Sequence, residues 1–129
     1  SPTKEGKWLT NVGSDCLQGY DQLPETGDIL FITKSLKDVM AFYELGYFAV
    51  GLQAETNKLS KKSYNELVKR FKRVILVLDG DDQGYTSTGD FLLEYDIEFF
   101  FIDKEKDISD YIKKYGLKKA EKLIKNKLL

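Results

Sequence analysis

Histidine is missing altogether from this chain of 129 residues. That absence excludes a histidine general base, a Ser-His-Asp triad and any zinc site with a histidine ligand. Chemistry must therefore run on carboxylates, lysines, hydroxyls or a bound metal. Cysteine is nearly as scarce. Cys16 stands alone, so there is no disulfide framework, and a reducing, cytoplasmic setting is expected. No apolar run reaches membrane-spanning length and the start has no signal-peptide pattern, so no membrane partner is expected. An excess of one charge is also lacking, because 20 Lys and Arg face 21 Asp and Glu. Nucleic-acid binding would then need a local patch or help from elsewhere. There are no repeats and no low-complexity linker. The length suits one domain with a core that needs no disulfide or metal. The opening Ser1-Pro2, without Met, predicts a piece of a longer protein.

Residues 1–28 are the least regular part. Lys7 to Val12 could form a short strand, after which Gly13, Gly19, Pro24 and Gly27 interrupt any regular element. Trp8, Leu9, Leu17 and Leu23 are expected to dock this stretch as a flap on a domain spanning 29–129. From Ile29 the pattern becomes regular. Strands are expected at Ile29–Thr33, Tyr47–Leu52, Val74–Leu78 and Ile97–Ile102, each an apolar run bounded by turn residues. Between the first two, Leu36, Val39, Met40 and Tyr43 share a helical face that Gly46 ends. Ser60 is placed to cap a second helix carrying Tyr64, Leu67, Val68 and Phe71. A third carries Phe91, Leu92 and Tyr95. Helices at 107–115 and 117–128 close the chain, split by Gly116. Alternation of this kind predicts an α/β fold, an open and mainly parallel four-stranded sheet with helices on both faces.

The third strand runs straight into Asp79-Gly80-Asp81-Asp82-Gln83-Gly84. Open parallel sheets place ligands at the carboxyl ends of their strands. Carboxylates crowded there repel unless something positive sits among them, and Mg²⁺ or Mn²⁺ takes such oxygen ligands. On its own, a DGDD run reads first as a surface turn. The other strands change that balance. Lys34 and Asp38 follow the first, Glu55 the second, and Asp103 to Asp110 the fourth, all on the same edge.

TKSLKD, QAE, DGDDQG and KDISD, each after its strand, resemble the TOPRIM domain. That domain is shared by bacterial-type primases, type IA and type II topoisomerases and some nucleases. The likeness is greatest to the catalytic domain of bacteriophage and bacterial-type DNA primases, in which a flap similar to LQGYDQL precedes the first strand. The resemblance implies a Rossmann-like sheet and a metal-dependent nucleotidyl transfer module that makes RNA primers in DNA replication. Asp79 and Asp81 match the Asp-x-Asp pair, Asp107 and Asp110 match later metal-binding acids, and Asp38 matches the aspartate of the first motif. Asp79, Asp81 and Asp38 are thereby implied as catalytic. The family glutamate falls on Lys34, a departure that tells against topoisomerase-like chemistry and is similar to phage primases with lysine here.

Other readings of these residues stay open. Ser35 and Asp38 have the spacing of a capping box. Asp107 could be only an N-cap, and Glu55 either a loop charge or a substitute for the missing acid. Lys34 and Lys37 are read as phosphate-contacting or solvated, and Gly80 and Gly84 as letting a nucleotide approach the backbone. The amino end of the third helix adds a favourable place for anions. Nucleoside triphosphates, a single-stranded DNA template and a replicative helicase are the implied partners, in concert with other domains. If phage-encoded, the chain would work in the host cytoplasm, and alone it is expected not to make primers. The alternatives are a TOPRIM-type nuclease and a non-catalytic nucleotide- or nucleic-acid-binding domain.

Overall fold

The computed structural model describes residues 17–52 and 59–129. The proposed strand at 7–12, the docking of Trp8 and Leu9, and the loop with Glu55 lie outside the described residues. Four strands, β1 (Gly27–Thr33), β2 (Phe48–Gly51), β3 (Phe71–Leu76) and β4 (Glu98–Phe99), form one sheet. Its order is β2-β1-β3-β4 and every pairing is parallel. Helices α1 (Leu36–Glu44), α2 (Lys61–Arg70) and α3 (Asp82–Glu94) make the crossovers. Helices α4 (Ile108–Tyr115) and α5 (Leu117–Leu128) follow β4.

The continuous apolar runs of β1 and β3 are explained by cores on both sides of the sheet. Leu30, Ile32, Val74, Leu76 and Leu78 point to one side and pack with Leu67 of α2 and Phe91 of α3. Phe31, Ile75 and Val77 point to the other and meet Val39 and Phe42 of α1, Tyr111 of α4 and Ile124 of α5. Strand side chains alternate, so a strand covered on both faces needs no polar position. Phe31 and Phe42 stack with centroids 4.3 Å apart and nearly parallel planes. Both are fully buried, so truncating either would cost about 3–5 kcal/mol.

Several local expectations shift. Helix α1 does not bury Leu36 and Met40, which are 47% and 61% exposed. It buries Asp38, Val39, Ala41 and Phe42 instead. Phe42 takes the position over Phe31, and this rotates the helix so that Asp38 faces the sheet edge. Val68 and Leu92 likewise lie on exposed flanks of α2 and α3. Phe71 begins β3 rather than extending a helical face. The fourth strand is two residues long, not six, because it pairs only with Ile75 and Leu76. Ser60 does cap α2, accepting from the Ser63 N–H at 3.2 Å.

The flap adds to the β2 edge. Gln18 and Gly51 exchange backbone hydrogen bonds at 2.8 and 2.9 Å, and Leu23 is buried in the core beside them. Arg70 fastens the turn, donating to the Pro24 carbonyl at 2.6 Å and to the Tyr20 hydroxyl at 3.2 Å. Tyr20 in turn bonds to Glu66.

Helix α3 lies against the chain that leaves β3. A Cβ on Gly84 would stand 1.8 Å from the Asp79 carbonyl oxygen and 2.7 Å from its carbon. Gly84 is thus required by the protein's own backbone. Gly89, five residues on, has nothing within 4 Å of a Cβ. Two substitutions in one helix should therefore act in opposite directions. Gly84→Ala should destabilise by about 3 kcal/mol or more through overpacking. Gly89→Ala should stabilise by about 0.5–1 kcal/mol through helix propensity. Urea unfolding of both variants checks the pair, and equal effects would refute the close contact.

Candidate metal centre

Three aspartates from three different loops meet at the carboxyl edge. Asp38 lies in the first turn of α1. Asp79 follows β3, and Asp107 immediately precedes α4. All three are buried, and one oxygen from each lies within 4.8 Å of the others. Among the described residues this is the one such group.

Local bonding aims each carboxylate. Asp38 is 3% exposed, with Oδ1 accepting from the Ser109 N–H at 3.2 Å and Oδ2 from the Ser35 hydroxyl at 3.1 Å. Ser35 makes no side-chain cap bond to α1, so Ser35 and Asp38 do not form the capping box allowed by their spacing. Asp107 does cap α4, its Oδ1 accepting from the Asp110 N–H at 2.8 Å. Asp107 Oδ2 faces Lys37, whose Nζ is 3.6 Å away and also 4.0 Å from Asp110 Oδ1. Lys34 Nζ lies 4.0 Å from Asp79 Oδ2.

Crowding shows in the electrostatics. Burial pushes the Asp38 carboxyl up from its usual 3.8 to about 7, aided by the charge of Asp107. The bonds from Ser109 and Ser35 oppose that rise. Asp79 is also raised, first by burial and then by Asp107, with Lys34 pulling the other way. Lys37 is raised chiefly by Asp107. Carboxylates withdrawn from water and pressed together are stable as anions only beside a cation. Three convergent carboxylate oxygens suit a hard cation such as Mg²⁺ or Mn²⁺, which takes oxygen ligands and keeps waters in its remaining positions.

The other sequence candidates lie around this trio. Asp81 is the N-cap of α3, its Oδ1 accepting from the Gly84 N–H at 2.8 Å. The amino end of α3 therefore serves that carboxylate first. Asp110 is outside the trio, held between its backbone bond to Asp107 and the ammonium of Lys37. The Gly80 N–H donates to the Lys106 carbonyl at 2.8 Å and is not free for a phosphate. Glu55 lies outside the described residues. Sequence reasoning missed Ser35 and Ser109 as the groups that orient Asp38. The Ser35–Asp38 spacing was visible but signalled a cap, and a backbone donor 71 residues from its acceptor leaves no local signal.

The shift at Asp38 carries a pH dependence. Its folded value lies above the unfolded one, so the folded chain binds the proton more tightly and loses stability as pH rises from about 4 to about 7. Asp38→Asn removes that loss. Without divalent ions, the variant's advantage over wild type should be larger near pH 8 than near pH 4 by roughly 1–3 kcal/mol or more. Denaturant unfolding at both pH values is the measurement, and a constant difference would refute the shift.

Solved structures share this architecture. The DnaG catalytic core matches with a TM-score of 0.69 at 19% identity, over 95% of this chain and 42% of that one. The primase fragment of the bacteriophage T7 primase-helicase protein gives 0.68 at 18% identity, over 84% and 48%. A DnaG primase catalytic domain bound to ssDNA gives 0.65 at 20% identity, over 85% and 38%. The chain spans less than half the length of each of these three structures. No family model and no curated protein matches the chain. The likeness suggested by the order of the motifs is borne out in the backbone, and the chain has the TOPRIM-like fold of DNA primase catalytic domains.

Proposed function

We propose that this chain is the metal-dependent nucleotidyl transfer module of a DNA primase, acting as part of a larger protein. The observation that carries the reading is the convergence of Asp38, Asp79 and Asp107 within 4.8 Å at the carboxyl edge of a primase-like fold. These residues would hold Mg²⁺ or Mn²⁺. Asp81 joins them as an outer ligand, since Oδ1 caps α3 while Oδ2 has no hydrogen-bond partner among the described residues. A bound ion would offset the charge that develops on phosphate oxygens during in-line displacement.

The chain's own groups have separable tasks. Ser35 and Ser109 fix the Asp38 carboxylate, so its two oxygens need no reorganisation when a ligand arrives. Lys34 and Lys37 place ammonium groups beside the acids, where triphosphate oxygens would lie. Lys37 is exposed enough to move between Asp107 and an incoming phosphate. Nucleoside triphosphates and a single-stranded template are the proposed partners, in keeping with the DnaG domain bound to ssDNA. A replicative helicase is proposed by analogy with the T7 primase-helicase protein.

The test is primer synthesis by the full-length parent protein. Asp79→Asn and Asp107→Asn should each reduce it by about 100-fold or more, as expected when charge stabilisation of the transition state is lost. Asp81→Ser keeps a capping oxygen but removes the second carboxylate oxygen. Its melting temperature should therefore stay near wild type while synthesis falls by roughly 10-fold. Unchanged synthesis in Asp81→Ser would leave Asp81 a cap only. Metal-dependent DNA cleavage without primer synthesis would replace this reading by a nuclease.

A further inference from the structure

We propose that the lysine face of α4 and α5 holds a nucleic-acid strand by its phosphate backbone, beside the metal centre and independently of it. The inference rests on the nucleotidyl-transfer reading above and adds the place where a strand is gripped. Charge is unevenly spread along this near-neutral chain. Residues 113–127 carry seven lysines and one acid, Glu121, whereas the rest of the chain holds 13 basic and 20 acidic residues. Lys114 and Lys127 have acidic partners, Glu105 at 3.5 Å and Asp103 at 2.9 Å. Lys113, Lys118, Lys119, Lys122 and Lys125 are exposed and make no ion pair among the described residues. Within α5 this placement is unfavourable. Lys118 and Lys119 occupy the first turn, where the helix dipole favours acids and none is present. Lys122 follows Lys118 by four residues and precedes Lys125 by three, spacings that crowd like charges on one face. Ala120 and Ile124 fill the core from the opposite side, so these lysines have no packing task.

Position and shape narrow the partner. The Tyr115 ring at the end of α4 has two ammonium groups near its centroid, Lys104 Nζ at 5.8 Å and Lys114 Nζ at 5.7 Å. Lys104 belongs to the loop that leads into Asp107. That loop is tied to the Asp79 loop by the Gly80 N–H, which donates to the Lys106 carbonyl at 2.8 Å. The basic face therefore begins at the loop that carries one of the three acids. From Lys118 to Lys125 it runs about 10 Å along the helix, room for about three successive phosphates at duplex spacing. Lysine offers a point charge without bidentate geometry, which suits backbone phosphates rather than base edges. An anionic membrane would also attract lysines, but a helix lying in lipid needs a free apolar face. The apolar face of α5 is already occupied by the core.

The experiment is fluorescence anisotropy of the chain with labelled oligonucleotides in EDTA, which keeps the metal centre out of the reading. A mixed-sequence DNA strand and an RNA–DNA hybrid are the two probes, and the one bound more tightly identifies the form of backbone. Two fourfold variants lose the same charge in different places. Lys118→Gln/Lys119→Gln/Lys122→Gln/Lys125→Gln removes the face, and Lys61→Gln/Lys62→Gln/Lys69→Gln/Lys72→Gln removes lysines of α2 and β3. The first should weaken binding by about 10-fold or more at low salt and flatten the dependence on log salt by about 2–3. The second should stay within about twofold of wild type. All eight lysines are exposed, so both variants should fold, with circular dichroism as the check. Lys122→Gln alone, expected to lose about 0.7 of the salt slope, decides the matter should the α5 variant not fold. Equal losses in both fourfold variants would reduce the effect to net charge and overturn the inference. Undiminished binding by the α5 variant would overturn it too, as would no binding of either probe by wild type. Attachment to phosphatidylserine vesicles without nucleic-acid binding would overturn it in favour of a membrane. Failure of the metal-centre reading shows separately, as primer synthesis unaffected by Asp79→Asn, and leaves these titrations standing.

Discussion

The carboxyl edge depends on β1 and β3 lying side by side with both faces covered. Their ladder runs from Gly27 opposite Phe71 to Ile32 opposite Leu76. Beyond it the Val77 N–H still bonds to the Ile32 carbonyl. Two strands held this firmly bring the loops after Thr33 and Leu78 next to each other. Asp38 and Asp79 meet for that reason. Asp107 arrives from a third direction, on the helix that packs against α1 across the second core. The outer strands contribute less, since β2 has four residues and β4 two. At the outer edge of β2, Gln18 takes up the backbone donor and acceptor of Gly51, which blunts that end of the strand against pairing with another chain.

Burying three carboxylates together works against stability, and the surrounding structure limits the penalty in three different ways. Asp79 has the Lys34 ammonium, Asp107 has Lys37 together with a backbone N–H, and Asp38 has a hydroxyl and a backbone N–H but no lysine within ion-pair distance among the described residues. Asp38 is accordingly pushed up to about 7, chiefly by burial. A group retained at such a cost is a candidate for function rather than for stability. Natural chains keep costly arrangements of this kind where a ligand is meant to relieve them.

Much of the fold was legible because its central strands are apolar throughout and its loops are short. Sheet type, helix order, the break at Gly116 and the cap at Ser60 follow from periodicity and turn chemistry. What escaped was set by tertiary contact. The face of α1 was half right, since Val39 is in the core and Tyr43 packs against it, but Leu36 and Met40 give way to Phe42, which is claimed by stacking on Phe31. Rotation toward Phe42 exposes Met40 and turns Asp38 inward. The end of the fourth strand escaped because Phe99, Phe100 and Phe101 have high strand propensity, yet their backbone lacks a partner beyond Leu76. At the site, the acids were readable from their position after strands. Their sorting into an inner trio and two flanking residues depended on hydrogen bonds across 71 positions.

Capping and metal binding, set against each other as alternative readings of these aspartates, are compatible because a carboxylate has two oxygens. Asp107 commits Oδ1 to the Asp110 N–H and turns Oδ2 toward Lys37, while belonging to the convergent trio. Asp81 commits Oδ1 to the Gly84 N–H in the same way. The cap removes rotational freedom from the side chain before any ligand arrives, so less entropy remains to be lost on binding. It also ties the acid to a helix whose own position is fixed, in α3 by the contact of Gly84 against the Asp79 backbone. An N-cap aspartate at the carboxyl edge of a parallel sheet therefore couples two demands. The helix needs an acceptor for its first free N–H groups, and the site needs an oxygen held still.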